Sequence, residues 1–264
     1  MVDFVYKENY VFDDLVKLVE ILREECPWDR EQTHSSIRRN LLEEAYEAAE
    51  AIDLEDTELL NEELGDVLLQ VVFHAQMERE KGNFDVDSVC TGVCRKLIER
   101  HPHIFGDSEL STPSEVLDKW DEIKRKQKGQ ATHTEAIRSV ARSLPALWRS
   151  DKIIEKAEKS GLLPDVDTAV KKQRIITLME DISLDSNNMS STETVERTVG
   201  WLFFQAVELA RSVKVDPEQA LVKACDCFTE SFSSVEKKQK NKHGEKGDNS
   251  ELEKLWLEVK SEES

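Results

Sequence analysis

Two short acidic patterns stand out in this sequence: Glu44-x-x-Glu47, and a little further on Glu63-x-x-Asp66. Residues three apart share one face of a helix, so each pattern can aim two carboxylates in one direction. On a helical wheel over Glu58 to Met77, Glu63, Asp66, Gln70 and His74 fall within an arc of roughly 80°, while Leu60, Leu64, Val67, Leu68, Leu69, Val71, Val72 and Phe73 fill most of the remainder. A helix apolar nearly all round is expected to be buried, and ionised carboxylates on a buried helix need hydrogen bonds, opposite charge or a metal to replace their lost hydration. The preceding helix carries Glu44 and Glu47 at the edge of an apolar face formed by Leu41, Ala45, Ala48, Ala49 and Ile52, with Glu43 and Glu50 further round. Two helices joined by a few residues near Asp56 pack antiparallel, which can set four acids opposite one another. Such a box repels itself, and hard divalent cations with oxygen ligands relieve the repulsion. Against this stands a simpler reading. With 55 acidic residues in 264, E-x-x-E matches on solvated helix faces arise often by chance, and His74 taken singly reads as a core histidine.

The elements that would position these acids are helices throughout. Glycine (9) and proline (6) are too few for a turn-rich β fold, and apolar residues recur at helical rather than alternating spacing. Helices are expected near Val11–Glu25, Ser35–Leu54, Glu58–Glu80, Val86–Arg100, Ser114–Lys126, Leu144–Lys159, Val166–Ile182, Thr192–Val213 and Pro217–Gln239. The polar stretch Lys126 to Thr134 suits a linker. It divides the chain into a domain at residues 1–127 and a second at 128–236. From Lys237 to Ser250 apolar residues are scarce, so 237–264 is expected to be a mobile segment followed by a short amphipathic helix with Leu252, Leu255, Trp256 and Val259.

Bulk properties narrow the function. No glycine-rich phosphate loop of the G-x-x-x-x-G-K-[ST] or G-x-G-x-x-G kind occurs. A formal charge of -19 argues against nucleic acid or an anionic membrane as the main partner, since both need a basic surface. The opening residues MVDFVYKENYVFDD lack the pattern of a signal peptide, and five cysteines make no disulfide framework, so a cytoplasmic setting is expected. Cys90-x-x-x-Cys94 and Cys225-x-Cys227 have no second Cys/His pair beside them and read as ordinary thiols rather than zinc ligands. Glu31-x-x-His34 admits a ferritin-like redox site, although that class needs two such motifs.

Taken in order, Cys26-Pro27-Trp28-Asp29, Gln32-Thr33-His34, Leu41-Leu42-Glu43-Glu44-x-x-Glu47, the run from Glu62 to Ala75, and Arg100-His101-Pro102-His103-Ile104-Phe105-Gly106 resemble the MazG family of nucleoside triphosphate pyrophosphohydrolases. The resemblance implies an all-α helical bundle of that family's type and hydrolysis of a nucleoside triphosphate to the monophosphate and pyrophosphate. It implies Mg²⁺ held by Glu44, Glu47, Glu63 and Asp66, with Glu43 as a further ligand or a base that orients water. By the same resemblance Lys96, Arg100 and Lys124 supply positive charge for the phosphates, although Glu99 stands where the family often has a second arginine. Trp28 and Asp29 could frame the base or sugar; Trp28 could equally be a packed helix-end anchor. A homodimer or higher homo-oligomer is expected from the family. The second half resembles the C-terminal repeat of longer members, as a degenerate copy of the first unit. There Trp201 takes the place of Asp66 and Thr198 that of Glu63, so a catalytic metal is not expected, and its role would be structural, dimerising or regulatory. A catalytically weak nucleotide-binding regulatory or interaction protein of the same fold is the alternative.

Overall fold

The computed structural model describes residues 4–106, 112–127, 129, 132–182, 192–243 and 249–262, and among these every regular element is a helix. The chain packs as two compact units, Met1–Lys124 and Arg125–Ser264.

The first unit contains α1 (Phe12–Glu25), α2 (Pro27–Glu31), α3 (Arg38–Asp53), α4 (Thr57–Glu80), α5 (Val86–Arg100), α6 (Pro102–Phe105) and most of α7 (Pro113–Gln127). Its framework is the α3–α4 hairpin. Asp56 ends the connecting turn and caps α4, its carboxylate accepting from the backbone N–H groups of Glu58 and Leu59, both at 3.0 Å. Gly82, at φ +73°, closes the other end: its N–H donates to the Arg79 carbonyl while that of Asn83 reaches back to Glu78, at 3.0 Å each. Two of the helices that hydrophobic spacing passes over, α2 and α6, are short and begin with a proline at the first turn, a signal carried by one residue rather than by periodicity.

Val19 of α1, Ile37 at the start of α3 and Val72, Phe73 and Met77 of α4 make the core of this unit, with Leu15, Val16, Leu69 and Val86 packed around it. Only the C-terminal half of α4 is buried. Further towards its start, Leu64 is 54% exposed, and Leu68 and Val71 are exposed as well. The expectation of an α4 buried all round therefore fails, because neighbours within one chain cover only one side of its first half. On α3 the buried residues are Ala48 and Ala51, whereas Ala45, Ala49 and Ile52 face outward, so its packed face is narrower and rotated from the one read off the sequence.

The second unit contains the end of α7, then α8 (His133–Arg138), α9 (Ala146–Glu158), α10 (Thr168–Asp181), α11 (Thr192–Ser212), α12 (Pro217–His243) and α13 (Asn249–Glu262). Ile154 of α9 and Val207 of α11 are buried, and the Arg211 guanidinium bridges Asp151 at 2.5 Å and Glu158 at 2.8 Å. The helix α12 continues through the polar residues after Lys237 as far as His243; the following residues 244–248 of the expected mobile segment lie outside the described residues. The amphipathic helix α13 docks on α12, with Leu255 and Val259 against Val235 and the Trp256 ring stacked 5.4 Å from Phe228.

The different burial along α4 has a measurable consequence. Met77→Ala, emptying a site only 2% exposed, is expected to destabilise the fold by about 2–5 kcal/mol. Leu64→Ala at its 54% exposed site should cost less than about 1 kcal/mol in the single chain. Denaturant unfolding of both variants measures the contrast, and equal losses would contradict the packing described.

Candidate active site

The acids that matter lie midway along the hairpin. Carboxylate oxygens of Glu44 on α3 and of Glu63 and Asp66 on α4 lie within 4.8 Å of one another, and all three side chains are half-buried. Glu44 and Asp66 thus meet across the hairpin, as its antiparallel register requires, and Glu63 lies one turn before Asp66. Among the described residues no other group of three or more acids, cysteines or histidines has metal-ligand spacing.

The electrostatics are those of a site short of positive charge. Burial, then the charges of Asp66, Glu47 and Glu63, raise the Glu44 carboxyl above the ordinary glutamate range. Burial also raises Glu63, followed by Glu47, Asp66 and Glu62. Glu63 Oε2 is buried without a hydrogen-bond partner in the protein. A carboxylate oxygen in that condition needs a cation or a proton. The donor set is all carboxylate oxygen, which suits a hard divalent cation and not a soft one.

The other residues singled out from the sequence are placed less uniformly. Glu47 is exposed, yet near enough to perturb both Glu44 and Glu63, so it borders the cluster without joining the group of three. Glu43, about 100° round the helix from Glu44, is 3.7 Å from Arg39 and stands outside it. Lys96 is exposed on α5, while Arg100 ends that helix and Lys124 lies on α7, both half-buried. Trp28 on α2 is 63% exposed, which removes the reading as a packed anchor. Asp29 beside it is half-buried.

The structure adds residues that the sequence reading did not assign. Arg23 of α1 holds the α2 segment from beneath: its guanidinium donates to the carbonyls of Asp29, Arg30 and Gln32, pairs with Glu80 at 2.6 Å and lies 5.6 Å from the centre of the Phe73 ring. Nothing in the local sequence marks Arg23 for this. His34, in the turn before α3, faces His74 and Glu78 of α4, at 2.7 Å and 2.6 Å. His74 is therefore a half-buried histidine with a side-chain partner, and the ferritin-like reading of Glu31-x-x-His34 fails, since His34 is engaged here and lies outside any helix. The signal was present in the sequence: His74 and Glu78 continue the stripe of Glu63, Asp66 and Gln70.

In the second unit, α10 and α11 also pack together. Their shared cleft, about 400 Å³, is lined by Gln173, Arg174, Thr177, Trp201 and Gln205 among others, and carries no carboxylate. The described cysteines carry free thiols outside any metal cluster, and no described helix is long and apolar enough to cross a membrane.

Residues 32–105 match the model of the MazG nucleotide pyrophosphohydrolase domain. The chain is 40% identical over 229 residues to the nucleoside triphosphate pyrophosphohydrolase/pyrophosphatase MazG of Thermotoga maritima, covering 86% of each. It is 36% identical over 262 residues to the nucleoside triphosphate pyrophosphohydrolase of Escherichia coli K12, covering 95% of this chain and 97% of that one. A solved structure of a mazG-related protein from Thermotoga maritima, 29% identical, spans 43% of this chain with a TM-score of 0.37. With its α3–α4 acids inside the matched segment and its relatives alike over most of their length, the chain belongs to the MazG family of nucleotide pyrophosphohydrolases.

Proposed function

We propose that this enzyme hydrolyses nucleoside triphosphates to the monophosphate and pyrophosphate at the Glu44–Glu63–Asp66 cluster, with Mg²⁺ as its metal. The observation that carries the reading is the convergence of three half-buried carboxylates from two helices, one of their oxygens buried without a partner. The names of the relatives support the reaction class. Glu44, Glu63 and Asp66 would hold the metal, with Glu47 at its edge as a fourth oxygen donor. Bound there, Mg²⁺ would neutralise the triphosphate and lower the pKa of a bound water.

Release of pyrophosphate requires water to attack phosphorus on one side of the α–β bridging oxygen, so that a new P–O bond forms as that phosphorus loses its bond to the bridging oxygen, and the nucleoside monophosphate and pyrophosphate separate. Glu43, beside the cluster but not in it, is proposed to orient this water. Lys96, Arg100 and Lys124 are proposed as phosphate contacts, and Trp28 and Asp29 as the frame for base or sugar. The exposure of Trp28 supports that role, since an uncovered indole can stack.

The domain assignment belongs to the same proposal: a catalytic region at residues 1–127, a non-catalytic degenerate copy at 128–236 with a structural or regulatory role, and a tail at 237–264. A cytoplasmic homodimer completes it. Leu64, Leu68 and Val71 lie on one face of α4 at helical spacing and are all exposed, and a second copy of this chain is the proposed cover.

Three outcomes are expected. With Mg²⁺ the enzyme should release pyrophosphate and not orthophosphate from nucleoside triphosphates, and Glu63→Gln should lower kcat/KM by about 10²-fold or more; a chelator-resistant activity or orthophosphate as first product would sink the reading. Stability should follow the raised carboxyl groups. They bind protons more readily folded than unfolded, so they favour the fold below the ordinary glutamate range and that contribution is lost as pH rises through their folded values. Without metal, Glu63→Gln should therefore melt higher than the native chain at about pH 7.5 and much less so at about pH 4.5. Added Mg²⁺ should raise the Tm of the native chain more than that of the variant. Finally, Leu68→Glu should shift the chain from dimer to monomer in sedimentation; a native chain already monomeric at tens of micromolar, as an order of magnitude, would remove the dimer from the proposal.

A further inference from the structure

The hairpin that carries the acids is fixed at its closed end by the turn at Asp56, but its open end needs another restraint. There the ring nitrogens His34 Nδ1 and His74 Nδ1 lie 2.7 Å apart, with the rings inclined by only 5°. His34 Nε2 lies 2.6 Å from Glu78 Oε1. Glu78 is itself held by Lys81 Nζ at 2.6 Å and Asn83 Nδ2 at 2.7 Å, so its carboxylate is not free to swing. One turn beyond His34, Ile37 is buried against the Val72–Phe73–Met77 side of α4.

We propose that His34, His74 and Glu78 are positioning residues, forming a clamp closed by one shared proton that fixes the start of α3 on the C-terminal half of α4 and so sets the spacing of the carboxylates. Four acids that repel one another would spread if their helices could. A hairpin pinned at both ends denies them that motion, and His74 lies eight residues, or about 12 Å, along α4 from Asp66.

The proton count follows from geometry. Two facing Nδ1 atoms at this distance cannot both carry hydrogen. In the neutral pair, His34 donates Nε2–H to Glu78 and accepts Nδ1–H from His74, which leaves His74 Nε2 bare. One added proton makes His34 a cation between two acceptors and turns His74 Nε2 into a donor. Either state keeps the clamp; a second added proton breaks it. The charged groups around the pair favour this order. Lys81, Asn83 and His34 hold Glu78 down to about 2, so it stays anionic behind His34, while burial and then the His34 charge lower the proton affinity of His74. From α1, Arg23 is committed to Glu80.

The activity and metal arms rest on the reaction and the metal site proposed above; the proton arm does not. His74→Leu should weaken Mg²⁺ binding, read by calorimetry on the full chain, by about 10-fold, and raise the Mg²⁺ needed for half-maximal turnover alike. His74→Asn, whose amide can occupy the Nδ1 position, should restore most of both. A His74→Leu chain with lowered Tm but unchanged metal affinity would overturn the proposal, because a merely structural contact predicts that result. If His74→Leu does not fold, the imidazole ¹⁵N shifts of the native chain decide. The pair should take up a single added proton, with His74 refusing a second; two independent titrations, one on each ring, would overturn the clamp. Turnover absent from a native chain that still shows clamp-dependent metal binding would reject the proposed reaction and leave the clamp standing.

Discussion

The mutual repulsion of acids across the α3–α4 hairpin is the constraint on which the rest of the first unit depends. Glu44, Glu63 and Asp66 bring oxygens within 4.8 Å in a half-buried setting, with Glu47 close enough to add its charge. Left alone, such a group costs stability, because each carboxylate is deprived of water and faced with its own sign. The fold answers with rigidity. A capped turn holds one end of the hairpin, an apolar core and the histidine pair hold the other, and the acids sit between two ends that cannot part.

The same helix does two jobs along its length. The C-terminal half of α4 is core: Val72, Phe73 and Met77 are buried, Glu78 grips His34, and Glu80 grips Arg23, which in turn holds the α2 segment bearing Trp28. Its N-terminal half carries the clustered acids on one face and uncovered leucines on another. Stability and chemistry are thus separated by a few turns of one element. This allows a half-buried site short of positive charge to exist on a scaffold whose packing is ordinary.

The second unit offers a contrast within the same chain. Its α10–α11 pair packs and encloses a cleft, but Trp201, Thr177 and Gln205 line it with no carboxylate. Apolar contact, with Lys171 and Arg174 of α10 paired to Glu208 of α11, joins these two helices. A metal site requires in addition that acids occupy particular rotations of both helices, and only the first unit meets that condition among the described residues.

Much of this was legible in the residues alone, for local reasons. Helical periodicity spans whole elements, so the nine longer helices from α1 to α12 were readable to within a few residues at most ends; α2 and α6, each a turn or so long after a proline, were too short to show a period. Spacing of three likewise guaranteed that Glu63 and Asp66 share a face. What the sequence could not decide was anything set by the rotation and register of one helix against another. Tertiary packing put Glu47 at the border, left the first half of α4 uncovered and brought His34 to His74 across forty positions of chain. Those outcomes depend on which apolar faces dock, and a rotation of one helix by a single residue's angle would have chosen different partners for each of these side chains.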